Sequence, residues 1–187
     1  MNPAPHLVLI GPMGAGKSSL GRRLAQARGL AFVDLDREIE ARAGAEIPTI
    51  FACEGEAGFR RRECEALADV LAREGCVIAS GGGAVLDPLN RALMRRQGFV
   101  VSLQIDVDEQ LARLANDRSR PLLAGADRAG VLARLATERA PLYAEIADLQ
   151  FSPAGMTPAD AAERLADLLD IHWQCPGPRP DPVPESP

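Results

Sequence analysis

The sequence predicts an α/β protein with a parallel sheet covered by helices on both faces. Short apolar runs alternate with longer amphipathic stretches, the pattern of strands joined by crossover helices. The middle runs are apolar with little alternation, as strands buried on both faces require. The first run ends in Gly11-Pro12-Met13-Gly14-Ala15-Gly16-Lys17-Ser18, a phosphate-binding loop set between a strand and an amphipathic helix.

Taken in order, His6–Ile10 reads as the first strand rather than a signal peptide, because it has no basic n-region and runs straight into glycines. Leu20, Leu24 and Ala27 share one face of the helix that follows. Ala31–Leu35 is the second strand. Phe59-Arg60-Arg61-Arg62-Glu63 opens a long helix, with Cys64, Leu67 and Leu71 on one side. Cys76–Ser80, Phe99–Ile105 and Leu149–Ser152 are the remaining strands. Thr157 as N-cap and Pro158 at N1 open a last helix that turns Ala161, Leu165 and Leu168 inward. There is no internal repeat. Six prolines between Pro176 and Pro187 cannot build a core, so residues 1–173 are read as one domain and 174–187 as a disordered tail.

Bulk properties narrow the function. The 187 residues fit one domain with a sizeable core. A net charge of −5 argues against non-specific nucleic-acid binding and against an anionic membrane surface. No apolar run approaches the ~20 residues that span a bilayer. Cys53, Cys64, Cys76 and Cys175 show no metal-type spacing and suit a reducing cytoplasm. His6 and His172 lie near the chain's ends, which argues against a histidine-based metal site or triad.

In the phosphate loop, glycines let backbone amides converge on phosphate oxygens at the positive end of a helix dipole. Lys17 reaches the β- and γ-phosphates, and the Ser18 hydroxyl serves Mg²⁺. The loop identifies a nucleoside triphosphate site without naming the second substrate.

The acceptor side has several candidates. Asp34 and Asp36 end the second strand, where one could hold the metal and the other could accept a hydrogen bond from an attacking hydroxyl. A plainer reading makes Asp36 a helix N-cap and leaves Asp34 solvated. The strand Cys76–Ser80 ends in Ala79-Ser80 and lacks a Walker B aspartate, which gives the metal role to Asp34. Arginines in a first helical turn oppose the dipole, so one of Arg60, Arg61 and Arg62 is retained for a ligand, a carboxylate suiting its fork. Arg61 and Arg62 read as solvated charges. Gly81-Gly82-Gly83 permits close approach to a small ligand. Arg118, Arg120 and Arg128 flank Pro121-Leu122-Leu123-Ala124-Gly125, either a surface loop or a lid that brings positive charge to the phosphoryl group. Arg139, ahead of Pro141-Leu142-Tyr143, is a second carboxylate clamp.

These pieces together resemble the shikimate kinase family. The match runs through Gly11–Ser18, Asp34-Leu35-Asp36, Phe59-Arg60 with Glu63, Gly81-Gly82-Gly83, Arg120-Pro121-Leu122-Leu123 and Arg139 with Leu142-Tyr143, over about residues 5–171. The resemblance implies a P-loop kinase with a five-stranded parallel sheet, order 2-3-1-4-5, and a short lid. It implies ATP-dependent phosphorylation of the 3-hydroxyl of shikimate, with Mg²⁺, by a cytoplasmic monomer. Lys17, Asp36 and Arg120 take catalytic roles. Gly14, Ala15, Gly16, Lys17, Ser18, Ser19, Arg113 and Arg120 face ATP, and Arg113 falls at a position that stacks near adenine. Asp36, Arg60, Gly82 and Arg139 face shikimate, and Ser18 and Asp34 face the metal. Two other readings stay open: a kinase of another small hydroxy acid such as gluconate, and a non-catalytic nucleotide sensor.

Overall fold

The computed structural model describes residues 4–117, 121–123 and 125–174. Five parallel strands, β1 (His6–Ile10), β2 (Ala31–Asp34), β3 (Cys76–Ala79), β4 (Gly98–Leu103) and β5 (Leu149–Phe151), lie in the order β2-β3-β1-β4-β5. That is the 2-3-1-4-5 sheet expected. Strand β1 sits in the centre, with Val8 in register with Ile78 on one side and Val100 on the other. All five of its residues are buried, which explains its lack of a polar face.

Alternation divides the core. Leu7 and Leu9 of β1 join Leu20, Leu24, Leu165 and Leu169 on one face, beneath α1 (Lys17–Arg28) and α7 (Pro158–His172). Val8 and Ile10 point the other way, to Leu35, Ile39, Leu67 and Met94 from α2 (Leu35–Ala43), α3 (Ile47–Leu71) and α4 (Pro88–Gln97). Two further helices, α5 (Val107–Leu114) and α6 (Arg128–Ile146), bury Leu114 and Leu132 against each other.

Several boundaries differ from expectation. The buried alanine of α1 is Ala25, while Ala27 is exposed, because the stripe follows Gly21, Leu24 and Ala25. In α7, Leu169 is buried and Leu168 only partly so, but the Thr157 cap is as expected, its hydroxyl accepting from the Asp160 amide at 3.2 Å. The arginine run does not open a helix. α3 starts at Ile47 and is broken at Gly55, whose φ of 68° and ψ of −177° are not helical. Arg60 therefore lies past the first turn of the second segment, which begins with acidic Glu56. The expected conflict with the helix dipole is absent, and any role for Arg60 rests on its contacts.

The two ends of the described chain meet. Buried Trp173 donates its indole N–H to the Ala4 carbonyl at 2.9 Å, beside the start of β1. The Arg28 guanidinium lies 5.4 Å over the indole ring and pairs with Asp170 at 2.6 Å.

Candidate active site

The phosphate loop follows β1 directly. Gly16 caps α1 at φ 92°, a conformation that glycine adopts without a Cβ penalty. The Gly16 cap offers no side-chain hydrogen bond and no acidic residue occupies the first turn of α1. The positive end of the helix dipole there suits an anion. Gly11 is fixed by contact instead, since a Cβ there would sit 2.4 Å from the Leu103 carbonyl oxygen. Lys17 donates from Nζ to the Gly11 and Pro12 carbonyls, both at 2.7 Å, so its ammonium arches over the loop.

The chain turns at Asp34. This corrects the expectation that Asp34 and Asp36 share a strand end: Asp34 is the last residue of β2 and Asp36 lies in the first turn of α2. The N-cap is Asp34 and not Asp36, with Oδ1 accepting from the Arg37 amide at 3.5 Å. Its other oxygen accepts from Ser18 Oγ at 2.6 Å, so one carboxylate starts α2 and meets the phosphate loop. Despite the turn, both aspartates line one cavity.

The three glycines after β3 form a hub, each against a different group. A Cβ on Gly81 would meet Glu63 Oε1 at 2.5 Å and Asp36 Oδ1 at 3.2 Å. One on Gly82 would touch the phosphate-loop backbone at Gly11 and Met13, at 3.4 Å. One on Gly83 would strike the Arg60 guanidinium at 2.4–2.6 Å. Arg60 donates to Glu63 at 2.7 Å and to Glu56 at 3.0 Å. Burial pushes the Glu63 carboxyl up, opposed by Arg60 and Arg139 and assisted by Asp36. Arg139, only 5% exposed, comes from α6. Next to it, Tyr143 donates its hydroxyl to the Gly82 carbonyl at 2.5 Å. Among the described residues, buried Arg60 Nε, Arg139 Nε and Glu63 Oε1 have no hydrogen-bond partner.

A cavity of about 570 Å³ joins these parts, lined by the loop from Met13 to Ser19 and by Asp34, Asp36, Ser80, Gly82 and Arg113. It brings together every expected nucleotide and metal residue among the described ones. Arg60 and Arg139 do not line it: Arg60 meets Gly83 of the glycine hub, and Arg139 lies against Pro12 and Met13 of the phosphate loop in a small neighbouring pocket. Arg113 Nη1 donates to the Gly14 carbonyl at 3.0 Å and pairs with Glu109. Arg118 and Arg120 lie outside the described residues. Arg128 donates to the Leu114 carbonyl at 2.6 Å and so caps α5 rather than reaching the cavity. Sequence reasoning missed the far wall, Pro153, Met156, Thr157 and Pro158 at the opening of α7. The capping signal at Thr157 was readable, but its position depends on β5 pairing with β4. Gln110 was also missed: buried, it donates to the Met13 carbonyl at 2.9 Å.

A phosphate loop on the central strand of a 2-3-1-4-5 parallel sheet, sharing a cavity with paired carboxylates, defines a P-loop kinase. The family model described as shikimate kinase matches residues 13–170. A shikimate kinase from Stenotrophomonas maltophilia strain R551-3 is 57% identical over 174 residues, 93% of this chain and 97% of the relative. One from Xanthomonas oryzae pv. oryzae strain PXO99A is 51% identical over the same shares. The solved shikimate kinase from Acinetobacter baumannii, in complex with shikimate, superposes with a TM-score of 0.87 at 40% identity, over 91% of this chain and 96% of that one. The chain belongs to the shikimate kinase family.

Proposed function

We propose that the chain transfers the γ-phosphoryl group of ATP to the 3-hydroxyl of shikimate, on the way to chorismate, as a cytoplasmic monomer. The observation that carries this reading is a pair of guanidinium groups, half-buried Arg60 and buried Arg139, that act on one buried carboxyl, Glu63, which Asp36 also faces. Each arginine keeps a buried, unpartnered Nε; Arg60 lies against Gly83 and Arg139 against Pro12 and Met13 of the phosphate loop. Two arginines suit one carboxylate, and an aspartate suits ring hydroxyls. Among the described residues no helix is long and apolar enough to cross a membrane.

The α1 amides and Lys17 hold the nucleotide phosphates, Lys17 exchanging loop carbonyls for phosphate oxygens. Asp36 orients the acceptor hydroxyl and takes its proton as the oxygen bonds to phosphorus. Arg60, Gly82 and Arg139 fix the acceptor, which supplies the proximity term. Arg113 lies along the base, and Arg120 is assigned to the transferring group by sequence. Mg²⁺ fits the donor set, because Ser18 Oγ and Asp34 Oδ2 are hard oxygens facing the loop. Bound there, it would neutralise charge between the β- and γ-phosphates.

An assay coupled to ADP release, with ATP, Mg²⁺ and shikimate, tests the reading. Folded protein showing no shikimate-dependent release sinks it. A panel including gluconate, ranked by kcat/KM, separates it from other hydroxy-acid kinases. Arg60→Ala is expected to raise the KM for shikimate far more than that for ATP.

A further inference from the structure

We propose that Tyr143 is a positioning residue for the acceptor, its one hydroxyl setting both Arg139 and the Gly82 peptide. The proposal rests on the acceptor reading given above.

The phenol is 5% exposed and donates to the Gly82 carbonyl at 2.5 Å. Arg139, one helical turn back on α6, lies beside it, and the two line one small pocket against Pro12 and Met13 of the phosphate loop. A hydroxyl has one proton and two lone pairs, so with its proton committed to Gly82 the oxygen presents only acceptor capacity to the neighbouring guanidinium. Burial pushes the phenol up to about 12, with Arg139 pulling the other way, so the proton stays on Tyr143 across the working range.

Both partners need such a hold. Gly82 lies between two other glycines, and no side chain of its own fixes the peptide that follows it. That peptide is trans, so a carbonyl held toward α6 aims the Gly83 N–H the opposite way. Arg139 is buried with an unpartnered Nε, and rotation about its long stem would misdirect it. Pro141 stands between Arg139 and Tyr143 inside α6 and has no N–H for the Thr137 carbonyl. Arg139 and Tyr143 pack together across the point where the helix lacks that bond. Gly82 also contacts the phosphate-loop backbone. One phenol therefore ties the arginine of α6 to a loop lying against the nucleotide side.

Tyr143→Phe deletes one oxygen and keeps the ring in the core. The KM for shikimate is expected to rise about tenfold, the upper end for loss of one buried hydrogen bond. The KM for ATP should stay within about twofold, and the thermal midpoint within a few degrees. An unchanged KM for shikimate overturns the proposal. So does a parallel rise in both KM values with a fallen midpoint, since that is a structural defect alone. Tyr143 is the only tyrosine of the sequence, so fluorotyrosine incorporated throughout the full chain reports from this position alone. Its ¹⁹F resonance is expected to move with saturating shikimate and to stay with ADP. A resonance unmoved by shikimate overturns the proposal even where the Phe variant does not fold. Wild-type protein that binds no shikimate refutes the function itself, whereas wild-type binding with a silent Tyr143 refutes only its role.

Discussion

Gly83→Ala separates stability from acceptor binding in one substitution. Gly83 has φ −102° and ψ −3°, which alanine can adopt. The added methyl would lie 2.4–2.6 Å from the Arg60 guanidinium, where ordinary contact begins near 3.4 Å. The guanidinium must retreat by about 1 Å. It is the far end of a flexible stem, so the backbone need not move. Loss of glycine also stiffens the unfolded chain, worth about 0.4–1 kcal/mol in favour of folding. Stability is thus expected to hold or rise slightly. Retreat costs Arg60 its alignment, and a charge-assisted hydrogen bond contributes about 1.5–3 kcal/mol, or roughly 10- to 100-fold in affinity. The assay is ADP release at saturating ATP with shikimate varied, then the reverse, beside a thermal melt. The expected result is a KM for shikimate raised at least about tenfold, with the KM for ATP and the midpoint near wild type. An unchanged KM for shikimate would show that Arg60 does not hold the acceptor from this position. A midpoint lowered by many degrees would show that the glycine serves the fold instead.

Other substitutions test the remaining parts. Asp34→Asn keeps a side chain that caps α2 as well as aspartate does but removes the charge facing Ser18. Its melt should match wild type, while the Mg²⁺ concentration needed for half-maximal activity rises; an unchanged Mg²⁺ requirement counts against Asp34 as the metal carboxylate. His6 is buried, with Nε2 donating to the Leu71 carbonyl and Nδ1 accepting from the Cys76 amide. Burial lowers its pKa below 6.5, against the Leu71 bond. As pH falls through 6.5 the unfolded chain takes up a proton that the native histidine resists, so stability is lost from there down to the lowered native value. The midpoint should fall more between about pH 7.5 and pH 5.5 in wild type than in His6→Gln, and equal falls would refute the assignment.

Local features were legible in the sequence and long-range ones were not. Gly11 to Ser18 could be read whole because its chemistry is set by contiguous residues. All five strands could be read because β1, β3 and β4 are buried on both faces. The helix-dipole argument for Arg60 fails, because the arginine run lies inside a helix and does not open one. Gly55 breaks α3 four residues after the helix has passed Phe51, and nothing in the run Phe59 to Glu63 announces that break. The cap of α2 is Asp34 rather than Asp36 because the strand ends one residue earlier than its apolar pattern suggests. The cavity wall at Pro153 to Pro158 and the hydroxyl of Tyr143 acquire meaning only through pairings across more than 40 residues, such as β5 with β4 and Tyr143 with Gly82. Periodicity carries no record of such pairings.

The bond from Trp173 to Ala4 has a practical consequence. β1 begins beside Ala4 and ends at the phosphate loop, while α7 begins at the cavity wall and ends at Trp173. Both ends of the described chain therefore emerge at the end of the sheet away from the cavity. An affinity handle or a tether to a sensor surface joined directly at Ala4 or Gln174 starts on the side away from the entrance for ATP or shikimate, and protein immobilised through either point presents the same open face to solution.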